Sequence, residues 1–378
     1  MSTIIRTRSP YFIRTPNETS GTLSYFNIVI QTWDGTSGSI DACATLYSSI
    51  TLNKKILGTE NSVSFDISEI VNDHLAQTFD GTYANSQTTQ SIWVYVSTSA
   101  RTSAGAIIGS VTNTTFLAQE GYNLYKEGVN YTTEPTAMLS ANYIQYQKGS
   151  AVTIPVNAER VTSVKWRDGT SVRETDSFTD NGNSNQKIQY AQFTGSTLLD
   201  NALITYDGGS TTTITLDPVE ECKYPVNKIT FLNRWGALQD LFFFKKSTET
   251  LDARREKYNA SIFQARKVVY GDPEEPDEPC SESITYNTYS TTAHAKKTFN
   301  ANATESISLN SGFVNELMNP FYEELMVSEH IWLTDSDSVI YPVNLKESTF
   351  TYKTSLNEKL INYTMSFEKA FDLVNNIR

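Results

Sequence analysis

The strongest constraint on this chain is a two-residue rhythm of apolar side chains that keeps returning along its length. In SYFNIVIQTW it sets Phe26, Ile28 and Ile30 on one side, in SVSFDI it sets Val63, Phe65 and Ile67, and in SIWVYVS it sets Ile92, Val94 and Val96. Successive side chains of an extended strand point to opposite faces, so each segment buries one face and leaves the other to solvent. Gly, Ser, Thr and Asn separate the segments, as the turns between strands require. Within this stretch one short helix is predicted after Phe65, where Asp66 and Glu69 have capping-box spacing and Ile67, Ile70, Val71 and His74 follow at helical intervals.

A length of 378 residues exceeds one ordinary core. The expected organisation is an N-terminal β-sandwich over 1–118, a linker over 119–137, a second β-sandwich over 138–220 and a C-terminal module over 221–378. The linker segment AQEGYNLYKEGVNYTTEPTA has no sustained period. Beyond it AVTIPV, VTSVKWRDGTSV, QKIQYAQF, ALITYDGG and TTTITL resume the alternation, and Asp168-Gly169 marks a two-residue hairpin turn. The two stretches share a rhythm but no quotable motif. The fold class expected is therefore mainly β: tandem small sandwiches, Ig- or fibronectin-like, followed by a sheet-rich α+β module.

The C-terminal module opens on CKYPVNKITFLNRWGALQDLFFFKK, which reads as a hairpin with Asn233 to Gly236 at the turn and Trp235 at its tip. Adjacent phenylalanines on a strand cannot share a face, so at least one of Phe242, Phe243 and Phe244 needs a second layer from another domain or another subunit. Trp235, Phe242, Phe243 and Phe244 are the candidate assembly interface. Further on, GDPEEPDEPCSES places six acidic residues and three prolines between Gly271 and Ser283, an exposed connection with no calcium-loop spacing. Asn319-Pro320 ahead of Glu323 and Glu324 predicts a helix start with acidic residues over its first turn, and Val314, Leu317, Met318, Phe321 and Leu325 give the apolar stripe. HIWLTDSDSVIYPVNL, STFTYKTSLNEKL and LINYTMSFEKAF return to strand patterning, with Ile361, Tyr363, Met365 and Phe367 on one face.

No reaction is announced by any motif. The histidines His74, His294 and His330 have no ligand-spaced partners, and His330, beside Ile331 and Trp332, reads as a packing residue. No nucleophile elbow, P-loop or dinucleotide fingerprint is present. Glu323-Glu324 with Asp335 and Asp337 could be set out as a glycosidase pair, but a helix start and a hairpin turn explain them structurally. Cys43, Cys222 and Cys280 form neither a disulfide framework nor a zinc signature, so no metal or other cofactor is expected. A net charge of −12 argues against nucleic acid and anionic membranes as partners. The N-terminus lacks the apolar stretch of a secretory signal, and no apolar run approaches the ~20 residues of a membrane span.

SPYFI (Ser9 to Ile13), SFDISEIV (Ser64 to Val71), CKYPVNKITFLNRWGALQDLFFF (Cys222 to Phe244) and YKTSLNEKLINYTMSFEKAF (Tyr352 to Phe371) resemble segments of virion structural proteins of tailed bacteriophages, in particular tail, neck or baseplate components. The resemblance implies a β-rich protein that assembles into rings or collars, with no catalytic residue to carry over. The expectation is a non-enzymatic virion component, assembled in the host cytoplasm, whose partners are other virion proteins and copies of itself. The alternative is a carbohydrate- or receptor-binding adhesin module that uses its 21 Tyr and 5 Trp on a host-surface glycan.

Overall fold

The structure is a computed structural model, and it describes residues 3–33, 46–58, 60–83, 90–130, 137–180, 182, 184–195, 197–270, 281–354 and 361–374. The chain divides into two compact units, one formed by Met1–Thr248 with Ser308–Ala370 and the other by Glu249–Ile307 with Phe371–Arg378. It is mainly β, as the alternation predicts.

The first unit opens with β1 (Ile4–Arg6), β2 (Phe12–Arg14), β3 (Tyr25–Trp33), β4 (Leu46–Lys55), β5 (Ser64–Asp66), α1 (Ser68–Asn72), β6 (Ser91–Arg101) and β7 (Ile107–Gln119). Five strands form a sheet in the order β1-β7-β6-β3-β4, and β2 pairs separately with β5. The predicted faces converge on one core, where Phe26, Ile28, Ile30, Ile92, Val94 and Val96 meet Phe65, Ile67 and Val71. A short helix follows Phe65 as foreseen, but not through the expected capping box: its N-cap is Ile67 with no side-chain cap, and Asp66 Oδ1 accepts from the amide and hydroxyl of Ser68.

The next module contains β8 (Tyr143–Gln147), β9 (Val152–Asn157), β10 (Val161–Asp168), β11 (Ser171–Ser177), β12 (Ile188–Phe193), β13 (Asn201–Tyr206) and β14 (Thr211–Val219). Its sheet runs β8-β14-β13-β10-β11, with β9 and β12 as a separate pair. Numbered within each module, both have the order first-seventh-sixth-third-fourth, with second paired to fifth. In both, the first strand runs parallel to the seventh. The shared rhythm is thus a shared topology. Trp166 on β10 is fully buried, donates from Nε1 to Asp176 Oδ2 at 2.8 Å, and packs on Phe193 of β12.

The C-terminal module starts with the foreseen hairpin, β15 (Asn227–Leu232) and β16 (Leu238–Phe243). The chain then enters the second unit through β17 (Thr248–Asn259), β18 (Phe263–Tyr270), β19 (Ser281–Tyr289) and β20 (Lys296–Asn310). There β18 and β19 pair antiparallel, and β17 lies next to β20, with Ala260 N donating to Ala295 O at 2.8 Å. The expected acidic, proline-rich connection falls on 271–280, outside the described residues, and Ser281 to Ser283 already belong to β19. Back in the first unit, a 3₁₀ turn at Glu316–Met318 leads into α2 (Asn319–Met326), then β21 (Ile331–Thr334), β22 (Ile340–Leu345) and β23 (Thr364–Asp372).

Two helix-start expectations are corrected. The turn is capped by Asn315, whose side chain accepts from Leu317 N, while Asn319 already lies inside the helix and bonds Lys353 and Tyr363. Glu323 and Glu324 lie beyond the first turn. Ser348 to Thr354 are not in a strand; they form a loop in which Phe350 packs on Tyr322 and Tyr363 and Tyr352 lies edge-on to Phe350. Ile361, Tyr363, Met365 and Phe367 are all buried, as their spacing predicts. Among the described residues no helix is long and apolar enough to cross a membrane.

Candidate functional site

The Asn233–Gly236 corner is where the three modules of the first unit meet, and its local sequence explains why. Asn233 Oδ1 accepts from the amides of Trp235 and Ala237, which folds the corner, while its Nδ2 donates to Met138 O and Gln239 Oε1 at 2.9 Å each. Gly236 has φ of +77°, a conformation that side chains resist. A Cβ there would lie 2.9 Å from Glu120 O, and one on Gly121 would lie 2.6 Å from Arg234 O. The backbone at 120–122 therefore lies directly on the corner, and Tyr122 N donates to Arg234 O at 3.0 Å. Residues 119–130, expected as a linker, include the last residue of β7 and a buried Glu120.

Charged groups fill the junction. Arg234 Nη2 contacts both Glu127 oxygens at 2.8 and 2.9 Å, and the guanidinium groups of Arg6 and Arg234 lie 4.6 and 4.4 Å from the Trp235 ring centre. Partial burial pushes the Glu127 carboxyl up, but its bonds from Arg234 and Leu124 N outweigh this and hold it below its ordinary value. Glu324 reaches in from α2. Its Oε2 accepts from Ser140 Oγ at 2.8 Å and from Arg234 N at 3.1 Å, and with 7% exposure burial raises its pKa to about 7. His330 Nε2 lies 3.0 Å from Glu120 Oε1, a contact that raises the imidazole above its ordinary value against the opposing effect of burial.

A second buried polar cluster sits on the neighbouring face of β16. Asp240 accepts from Tyr83 OH and from Thr230 Oγ1, and Lys228 Nζ lies 3.4 Å away. Burial first, then the facing Asp240, drives the Tyr83 phenol well above its ordinary value.

The proposed interface residues are inside the chain. Phe242, Phe243 and Phe244 are 5%, 0% and 2% exposed. Phe243 meets Tyr322 and Phe367 edge-on, while Phe242 stacks on Phe244. The second layer that the three phenylalanines demand is thus supplied by α2 and β23 of the same chain, and the cluster offers no surface to a subunit. Trp235 is half-buried and donates from Nε1 to Leu139 O, so it too is a junction residue.

The remaining acidic candidates are not brought together. Asp335 Oδ1 accepts from the amides of Asp337 and Val339, the hairpin turn its spacing predicts. Among the described residues no group of three or more His, Cys, Asp or Glu could hold a metal ion. Cys222 is free and exposed, and Cys43 and Cys280 lie outside the described residues. Two grooves, of about 700 and about 560 Å³, are lined by Val314, Leu317, Pro320 and Ile361 in one case and by Arg8, Asp66, Glu69 and Glu329 in the other. No protein-family model matches the chain, and no curated protein matches it.

Sequence reasoning missed Ser140, Glu127, Gln239 and the pairing of Glu120 with His330. Their partners lie about 100 or more residues away, except for Asn233 and Gln239 within the hairpin. Only the Asn-x-x-Gly corner was a local signal.

Proposed function

We propose that this chain is a non-enzymatic structural component of a bacteriophage virion, of its tail, neck or baseplate, assembled in the host cytoplasm and held to other virion proteins and to copies of itself. The observation that carries this reading is β17, whose twelve residues are all exposed. A strand with every residue exposed gains little from its own chain, and as the last strand of its seven-stranded sheet it leaves one edge unpaired. Its stability is better supplied by a neighbour. The first half of β20 supports the same reading, with Lys296 to Ala301 exposed and Phe299 edge-on to Tyr258.

The junction fits a building block rather than a catalyst, because its acids are spent on Arg234, Ser140 and His330. We also read the repeated seven-strand module as an Ig- or fibronectin-like sandwich, on the strength of the shared strand order and the parallel first strand. The adhesin alternative gains no support from the exposed pair Tyr258 and Phe299, whose rings cross at 62° and not as the coplanar platform that a sugar face needs.

Electron microscopy of purified phage particles and of the isolated chain tests the proposal. Density for the chain in a symmetric collar, tube or plate is expected, and substrate turnover by the isolated chain together with its absence from particles would overturn it.

A further inference from the structure

We propose that β17 is a self-pairing edge: two copies of this chain join β17 to β17 antiparallel, with the two-fold axis at Ala253. The proposal rests on the assembly reading above and adds to it the surface, the partner and the register.

β17 ends its sheet order, with β20 as its only neighbour there. Ala260 N donates toward β20. In an antiparallel ladder the amides and carbonyls of successive residues alternate in side, so every second residue of β17 presents its pair at the free edge. A long edge of this kind is a template for another strand.

The sequence TETLDARREKYN selects the occupant by charge. Two copies related by a two-fold axis normal to the sheet pair residues whose numbers average to the residue on the axis. With Ala253 there, Asp252 faces Arg254 of the second copy and Glu249 faces Lys257, each pair occurring twice. Leu251 then lies against the aliphatic stem of Arg255, and the small Ala253 faces itself. Opposite charges directly across a strand pair stabilise it and like charges destabilise it. Neighbouring registers fail this test. An axis at Arg254 sets that arginine on itself and Asp252 on Glu256, an axis at Arg255 sets Arg255 on itself, and an axis at Asp252 sets two carboxylates together.

The test uses the full chain in sedimentation equilibrium. E249K and K257E each set two like-charge pairs across the axis, at exposed positions where the fold is not at stake. Each is expected to weaken self-association by about tenfold, and the double variant E249K/K257E, which restores every pair, is expected to recover it. Association that is untouched by the single variants overturns the β17 pairing while leaving the assembly reading intact on some other surface, including one formed with a different virion protein. A wild-type chain that stays monomeric also overturns the pairing, and the assembly reading is then decided separately by whether purified particles contain the chain.

Discussion

Glu324→Gln should make the protein more stable at neutral pH, an unusual outcome for removing a hydrogen-bonded acid from a domain junction. Glu324 is 7% exposed, and burial moves its pKa from the ordinary 4.5 to about 7. Between those values the folded chain holds a proton that the unfolded chain has lost, so stability falls as pH rises through that window and levels off above about 7. At 1.36 kcal/mol per tenfold, the span from 4.5 to about 7 amounts to ~3 kcal/mol. A neutral glutamine can still accept from Ser140 Oγ and Arg234 N through its carbonyl oxygen, and it removes the buried charge. Urea unfolding followed from pH 4.5 to 8 should give equal midpoints for the two proteins at the acid end and a growing advantage for the variant, approaching ~3 kcal/mol at pH 8. His330 titrates in both proteins, so its contribution cancels in the difference. Parallel pH profiles, or a variant destabilised throughout, would refute the assignment of a buried, proton-holding Glu324.

Phe243→Ala should cost about 3–5 kcal/mol of stability by leaving a cavity between β16 and α2, yet leave the self-association constant of the folded protein unchanged. A selective loss of association, with the melting temperature intact, would return Phe243 to an interface. Lys187 is fully buried, with Nζ 2.6 Å from Asp180 Oδ1 and 3.2 Å from Glu159 Oε1; Lys187→Ala should cost about 3 kcal/mol by removing the buried cation that faces both carboxylates, and calorimetry showing a change under 1 kcal/mol would contradict that. Gly121→Ala forces a Cβ to within 2.6 Å of Arg234 O and should lower the melting temperature and speed hydrogen exchange at Tyr122 N; an unchanged Tyr122 amide would show that the junction yields freely.

Patterns that repeat within a strand were legible in the sequence. Phe26, Ile28 and Ile30, and likewise Ile361 to Phe367, declare their buried face because a pleat has period two, and the Asn233 corner declares itself because an Asn side chain folds its own turn. The equivalence of the two N-terminal modules was audible only as rhythm, since strand order is set by which edges meet and not by any local residue. The phenylalanine run was read correctly as needing a second layer, but sequence could not say that α2, some 80 residues later, provides it. Glu324 was attributed to a helix start because its true partners, Ser140 and the Arg234 amide, are distant in sequence. β17 passed unremarked for the opposite reason: a strand exposed on both faces has no apolar alternation to find.

Sedimentation velocity of the full chain across a wide concentration range tests the central claim most directly. A building block with an unfinished edge should shift from the 42.3 kDa monomer to one discrete, larger species as concentration rises. A single boundary at monomer mass at every concentration would contradict it.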